Sequence, residues 1–98
     1  MDEALAEYQR TIEIKPNYAR GYYNIGNVYK QKGKLEEAIA SFQRALEIHP
    51  KYGEAHYGLA VAYFEKREFS LAAQHADQAG RLGIMVDPKF LDRLKSHR

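Results

Sequence analysis

Laid over itself at an offset of 34 residues, the chain repeats. Met1–Pro16 reads MDEALAEYQRTIEIKP and Leu35–Pro50 reads LEEAIASFQRALEIHP; eight of these sixteen positions are identical, among them Glu3/Glu37, Gln9/Gln43, Arg10/Arg44 and Pro16/Pro50. Chance at ordinary amino-acid frequencies gives about one. Most other positions exchange like for like, as in Leu5/Ile39 and Tyr8/Phe42, and the register continues more weakly through Tyr18/Tyr52, Tyr23/Tyr57, Tyr29/Tyr63, Ala38/Ala72 and Ala45/Ala79. A fixed period of this length points to stacked supersecondary units, none of which can bury its apolar face alone.

Inside one unit the periodicity is helical. Between Ala19 and Lys32 the large apolar residues fall at Tyr22, Ile25 and Tyr29, with Gly26 beside them, which is a stripe at three- and four-residue spacing. Gly33 can supply the left-handed residue that ends this helix. Leu35–Ile48 carries a second stripe at Leu35, Ala38, Ile39, Phe42, Ala45 and Leu46, stopped by Pro50. Small residues at Gly26, Ala38 and Ala45 let backbones approach, and Tyr22, Tyr29 and Phe42 fill the gaps. The pattern predicts six helices, near Asp2–Ile14, Ala19–Lys32, Leu35–Ile48, Gly53–Lys66, Ser70–Leu82 and Pro88–Ser96, with Ser70 and Asp87 as N-caps and Pro88 in the first turn of the last.

Ala19–Pro50 closely resembles the tetratricopeptide repeat, a 34-residue helix–turn–helix unit. Ile25, Gly26, Tyr29, Ala38, Phe42, Ala45 and Pro50 match its signature, and Tyr22 replaces its tryptophan. The next unit matches at Leu59, Tyr63, Ala72 and Ala79 but has His56 in the large-aromatic slot, Ala60 for glycine, Ala76 for the second aromatic and no closing proline at Ile84. The resemblance covers about the first 84 residues. It implies an all-α superhelix organised as one domain over 1–98: a half repeat (1–16), a repeat (19–50), a degenerate repeat (53–84) and a C-terminal capping helix (87–98) whose Phe90, Leu91 and Leu94 lie on the last hairpin. The first helix then lacks its preceding partner. Part of the face formed by Ala4, Leu5, Tyr8 and Ile12 is expected to lie open, either because Met1 begins an excerpt of a longer array or because another chain covers it.

Arrays of this family curve, and the first helix of each hairpin lines a concave surface that binds peptides or loops of partner proteins. Helical phase then turns Arg20, Tyr23, Asn24, Asn27 and Lys30 of one unit inward, and Glu54, Tyr57, Val61, Phe64 and Glu65 of the next. Stacking at the 34-residue period sets Tyr23 beside Tyr57 and Asn27 beside Val61. Tyrosine offers a large rigid contact with few rotors to freeze, and an asparagine amide can satisfy a peptide backbone through both donor and acceptor. Some members hold the peptide with a ladder of asparagines in the Asn24 phase; Gly58 interrupts such a ladder here. Others grip a terminal carboxylate with Lys and Arg from successive units, but Glu54 and Gly58 occupy those phases.

Composition excludes several other functions. Among 98 residues there is no cysteine, which removes disulfides, cysteine-rich zinc sites and thiol nucleophiles, and gives no sign of an oxidising compartment. No run approaches the roughly 20 apolar residues of a membrane span, and the Met1-Asp2-Glu3 start is acidic where a signal peptide is basic, so a cytoplasmic location is expected. The +2 net charge is local: residues 1–80 hold ten basic and eleven acidic side chains, residues 81–98 five and two. Arg81, Lys89, Arg93, Lys95 and Arg98 therefore read as the solvated side of a terminal helix, and neither nucleic acid nor a membrane is expected as partner.

No catalytic constellation emerges. His49, His56, His75 and His97 form no HxxxH or HExxH pair, so no two lie one helical turn apart, and no metal or cofactor is expected. Glu36-Glu37 reads as an acidic first helical turn, Ser41 lacks a nucleophile-elbow setting, and His56 reads as a residue at the edge of the core. The expected function is a non-catalytic protein–protein interaction module. The alternatives are a self-assembly scaffold and a repeat fragment of a larger protein such as a glycosyltransferase.

Overall fold

The computed structural model describes residues 2–14 and 18–97; Pro16, Arg98 and the side chain of Ala4 lie outside the described residues. Six helices follow one another: α1 (Asp2–Ile14), α2 (Ala19–Gln31), α3 (Leu35–Ile48), α4 (Gly53–Glu65), α5 (Phe69–Arg81) and α6 (Pro88–Ser96). No described residue is in a strand. Helices α2/α3 and α4/α5 form antiparallel hairpins, α3 packs on α4, and α1 and α6 flank the two hairpins. The principal extents of 42 × 25 × 17 Å are those of units stacked in line.

Steric fit between one ring and two glycines sets the spacing of the stack. Phe42 of α3 is fully buried, and a Cβ placed on Gly26 of α2 or on Gly58 of α4 would come within 2.7 Å of its ring. Both backbones therefore lie directly on the Phe42 ring, one from its own hairpin and one from the next. In the second unit the matched pair is smaller on one side and larger on the other: Ala60 stands for Gly26 and Ala76 for Phe42, and both are buried. The added methyl at Ala60 replaces only a small part of the ring volume lost at Ala76.

Helix α4 carries the core on more than one side. Ala55, Gly58, Leu59, Ala60, Ala62, Tyr63 and Phe64 are all buried, so the helix has no wide polar face. That is the composition required of a helix covered by neighbours on several sides. Polar ties between the hairpins are few and peripheral. Gln43 Nε2 donates to the Tyr63 hydroxyl at 3.0 Å, and Lys66 at the end of α4 pairs with Glu36 of α3 and, at 3.4 Å, with Glu68. Such exposed pairs add little beside the apolar contact.

Helix ends depart from expectation in one respect. Asp87 caps α6 through an Oδ1 that accepts from Lys89 N at 3.0 Å, but α5 begins at Phe69, one residue before the expected cap. Ser70 is thus inside the first turn, and Glu68 takes the cap position with no side-chain bond. The α2–α3 and α4–α5 turns share a shape: Gly33 has φ 78° and its counterpart 34 residues on, Arg67, has φ 66°. Repetition of the turn has kept the left-handed conformation where the residue is no longer glycine.

At the N-terminal end Leu5, Tyr8 and Ile12 are half-buried. Ile12 is turned onto the α2 backbone, where a Cβ on Gly21 would meet its Cγ1 at 3.2 Å. It therefore belongs to the α1–α2 contact and does not lie open. At the other end Phe90 and Leu94 are buried, whereas Leu91 remains 36% exposed. Leu91 faces a shallow depression with Ala76, Ile84 and Val86, and Phe90 reaches past α5 to the rings of Tyr57 and Phe64 on α4.

Phe42→Ala should lower unfolding stability by about 3–5 kcal/mol, and Gly26→Ala by about 1–3 kcal/mol, in denaturant titrations. The double variant should cost less than the two together, because the new methyl enters space the ring has left. Gly33→Ala should lower the thermal midpoint by about 4–8 °C, the equivalent of about 1 kcal/mol of left-handed strain.

Candidate peptide-binding groove

Two helices one period apart define a groove. Helices α2 and α4 are the first helices of successive hairpins, and their like-phased residues meet across it. Tyr23, Asn27 and Lys30 from α2 and Glu54, Tyr57, Gly58 and Val61 from α4 enclose a cavity of about 290 Å³. Gly58, the residue that interrupts an asparagine ladder, has a packing role in this floor: it brings α4 down onto Phe42. Tyr23 is held in place from below and beside, its ring 5.9 Å from Phe42 and 5.2 Å from Tyr52. Tyr57 is anchored differently. Its hydroxyl accepts from Asp87 N at 3.0 Å and its ring lies 6.0 Å from Phe90. A ring fixed at both edges loses little further freedom when a ligand packs on it.

Four residues expected inside stand elsewhere, Glu65 among them, which lines a separate depression with Arg67 and Arg93. Phe64 is only 9% exposed, enclosed by Phe69, Phe90 and His97, because α6 lies across the end of α4. Arg20 lines a separate depression with Tyr18, His49, Lys51 and Tyr52, and Glu54 sits at the boundary of the two. Asn24 is half-buried and outside the cavity lining. The described groove is therefore shorter than expected at the C-terminal side. Helical phase alone could not reveal this, since it ignores what the terminal helix covers.

Charge along the groove is mixed, with Lys30 and Glu54 on its lining. Beside it, burial pushes the Tyr52 phenol up, helped by the carboxylate of Glu54, so Tyr52 stays a neutral hydrogen-bonding group at ordinary pH.

A histidine pair outside the groove lining was invisible at the level of local spacing. His56 of α4 and His75 of α5 stack with centroids 5.3 Å apart, and their Nδ1 atoms are 3.0 Å from each other. His56 Nε2 is 3.1 Å from the Pro50 carbonyl, which can only accept, so Nε2 carries a hydrogen. With His56 neutral its Nδ1 is bare, and His75 Nδ1 must donate. Two protonated rings would set two N–H groups against each other, so the pair accommodates one charge at most. Burial, with His56 as the second cause, lowers the His75 pKa below its usual 6.5. No cluster of three metal-ligating side chains exists among the described residues.

Because the unfolded chain then binds the His75 proton more readily than the folded one, this contribution to stability is intact above about pH 6.5 and is lost as pH falls below it. The thermal midpoint should drop between about pH 7 and pH 5, and His75→Ser, the residue at the matched position Ser41, should flatten that part of the profile.

Comparison with known proteins agrees with the fold. The family profile described as TPR repeat matches residues 1–33 and 26–66. The crystal structure of YrrB, a TPR protein with an unusual peptide-binding site, superposes with a TM-score of 0.81 at 27% identity, over 92% of this chain and 46% of that one. MamA from MSR-1 superposes with a TM-score of 0.76 at 27% identity, over 83% and 47%. The chain thus spans about half the length of these relatives, and no curated protein matches it by sequence. Taken with the 34-residue period, the ring-between-glycines packing and the paired hairpins, these matches establish that the chain belongs to the tetratricopeptide repeat family.

Proposed function

We propose that the chain is a non-catalytic interaction module that binds a segment of a partner protein in the α2–α4 groove. One observation carries this reading. Tyr23 and Tyr57 are brought side by side by the repeat and held by their own surroundings, while the side chains of Asn27 and Lys30, next to them, make no hydrogen bond or ion pair to any described residue. Rigid rings beside unengaged polar groups are what a peptide backbone and an apolar side chain need together. YrrB supports the reading as a structural relative with a peptide-binding site. The lining has no paired acid and base, and the His56–His75 pair lies outside it. That is why binding without chemistry is proposed.

With two hairpins and one groove of this size, affinity should be micromolar, about 8 kcal/mol. Peptides selected from a displayed random library against the intact chain should weaken roughly tenfold on Tyr23→Ala and on Asn27→Ala. Tyr57→Phe keeps the ring and loses only the bond to Asp87, so it should weaken binding less than Tyr57→Ala. Selected peptides that bind all four variants equally would place the site elsewhere.

A further inference from the structure

A second cavity is built where the α4–α5 turn meets α6, and none of its residues lines the α2–α4 groove. Phe64 forms its floor, met edge-on by Phe69 (5.2 Å, 69°) and by His97 (5.6 Å, 73°). His97 in turn stacks flat on Phe69, 4.0 Å away and 5° from parallel. Two guanidinium groups lie over these rings: Arg93 Cζ is 4.7 Å from the Phe64 centroid and Arg67 Cζ 5.4 Å from the Phe69 centroid. Together with Glu65 these residues enclose about 280 Å³.

One further observation points to a ligand. Among the described residues no carboxylate lies within ion-pair distance of Arg67 or Arg93, so neither guanidinium has an ion-pair partner there. A guanidinium held over a ring still carries N–H donors in a planar fork that fits a carboxylate. The ligand must also suit the floor, which is aromatic, and the rim, where Glu65 opposes a strongly negative group.

We propose that this cavity binds a monoanionic carboxylate carried on a short apolar or aromatic scaffold: the carboxylate meets the N–H edges of Arg67 and Arg93, and the scaffold rests on Phe64 and Phe69. The probe is 3-phenylpropionate, titrated into the full chain while NMR follows the arginine Nε–H and phenylalanine ring signals. Saturable shifts in both sets are expected, with a Kd of about 1 mM that rises with added salt. Arg67→Gly, which suits the backbone already present, and Arg93→Met, which keeps an unbranched side chain over Phe64, should each weaken binding roughly five-fold. Glu65→Gln should tighten it. Thermal unfolding checks that each variant is folded, and Arg67→Asn, also tolerant of positive φ, replaces any that is not. The proposal is overturned if the neutral 3-phenylpropionamide binds as tightly, if neither arginine variant changes the Kd, or if inorganic phosphate gives the same shifts at lower concentration.

Discussion

The two hairpins stack on each other around the Phe42 ring. A fully buried aromatic pressed between two glycines fixes how close α2 and α4 come to α3, and therefore to each other. Interiors are close-packed, so a spacing set at one ring is transmitted along the helices that touch it. The groove is the other side of the same contact. Gly58 lowers α4 onto Phe42 and also lines the space between Tyr23 and Tyr57. Core and site share a residue, so one cannot be altered without the other.

The C-terminal helix separates two depressions, one between α2 and α4 and one beside the α4–α5 turn. By laying Phe90 against Tyr57 and Phe64, α6 ends the groove, and the same placement gathers Arg93 and His97 over the α4–α5 turn. A segment rich in positive charge, which read from sequence as a merely solvated helix face, thus carries two of its basic groups onto aromatic rings. Neither contact changes the fold. Both change what the surface can meet.

Much of the architecture was legible because a repeat states its own register. The 34-residue period paired Tyr23 with Tyr57 and Asn27 with Val61, and those residues do share one cavity. Left-handed Gly33 and the Asp87 cap were readable because each depends on one residue and its immediate backbone. Ser70 misled for the same reason. A serine near a helix start resembles a cap, but here the chain turns one residue earlier and Phe69 enters the helix to stack with His97.

Local pattern therefore determined the six helices and their pairing into hairpins, since helical periodicity and capping act over a few residues. Only the folded chain decided that Phe64 is covered, that Arg20 and Asn24 stand outside the groove, and that His56 meets His75 across nineteen positions of sequence. The first and last of these depend on where α6 and α5 come to rest, and that follows from packing between distant side chains, which a one-dimensional period does not record.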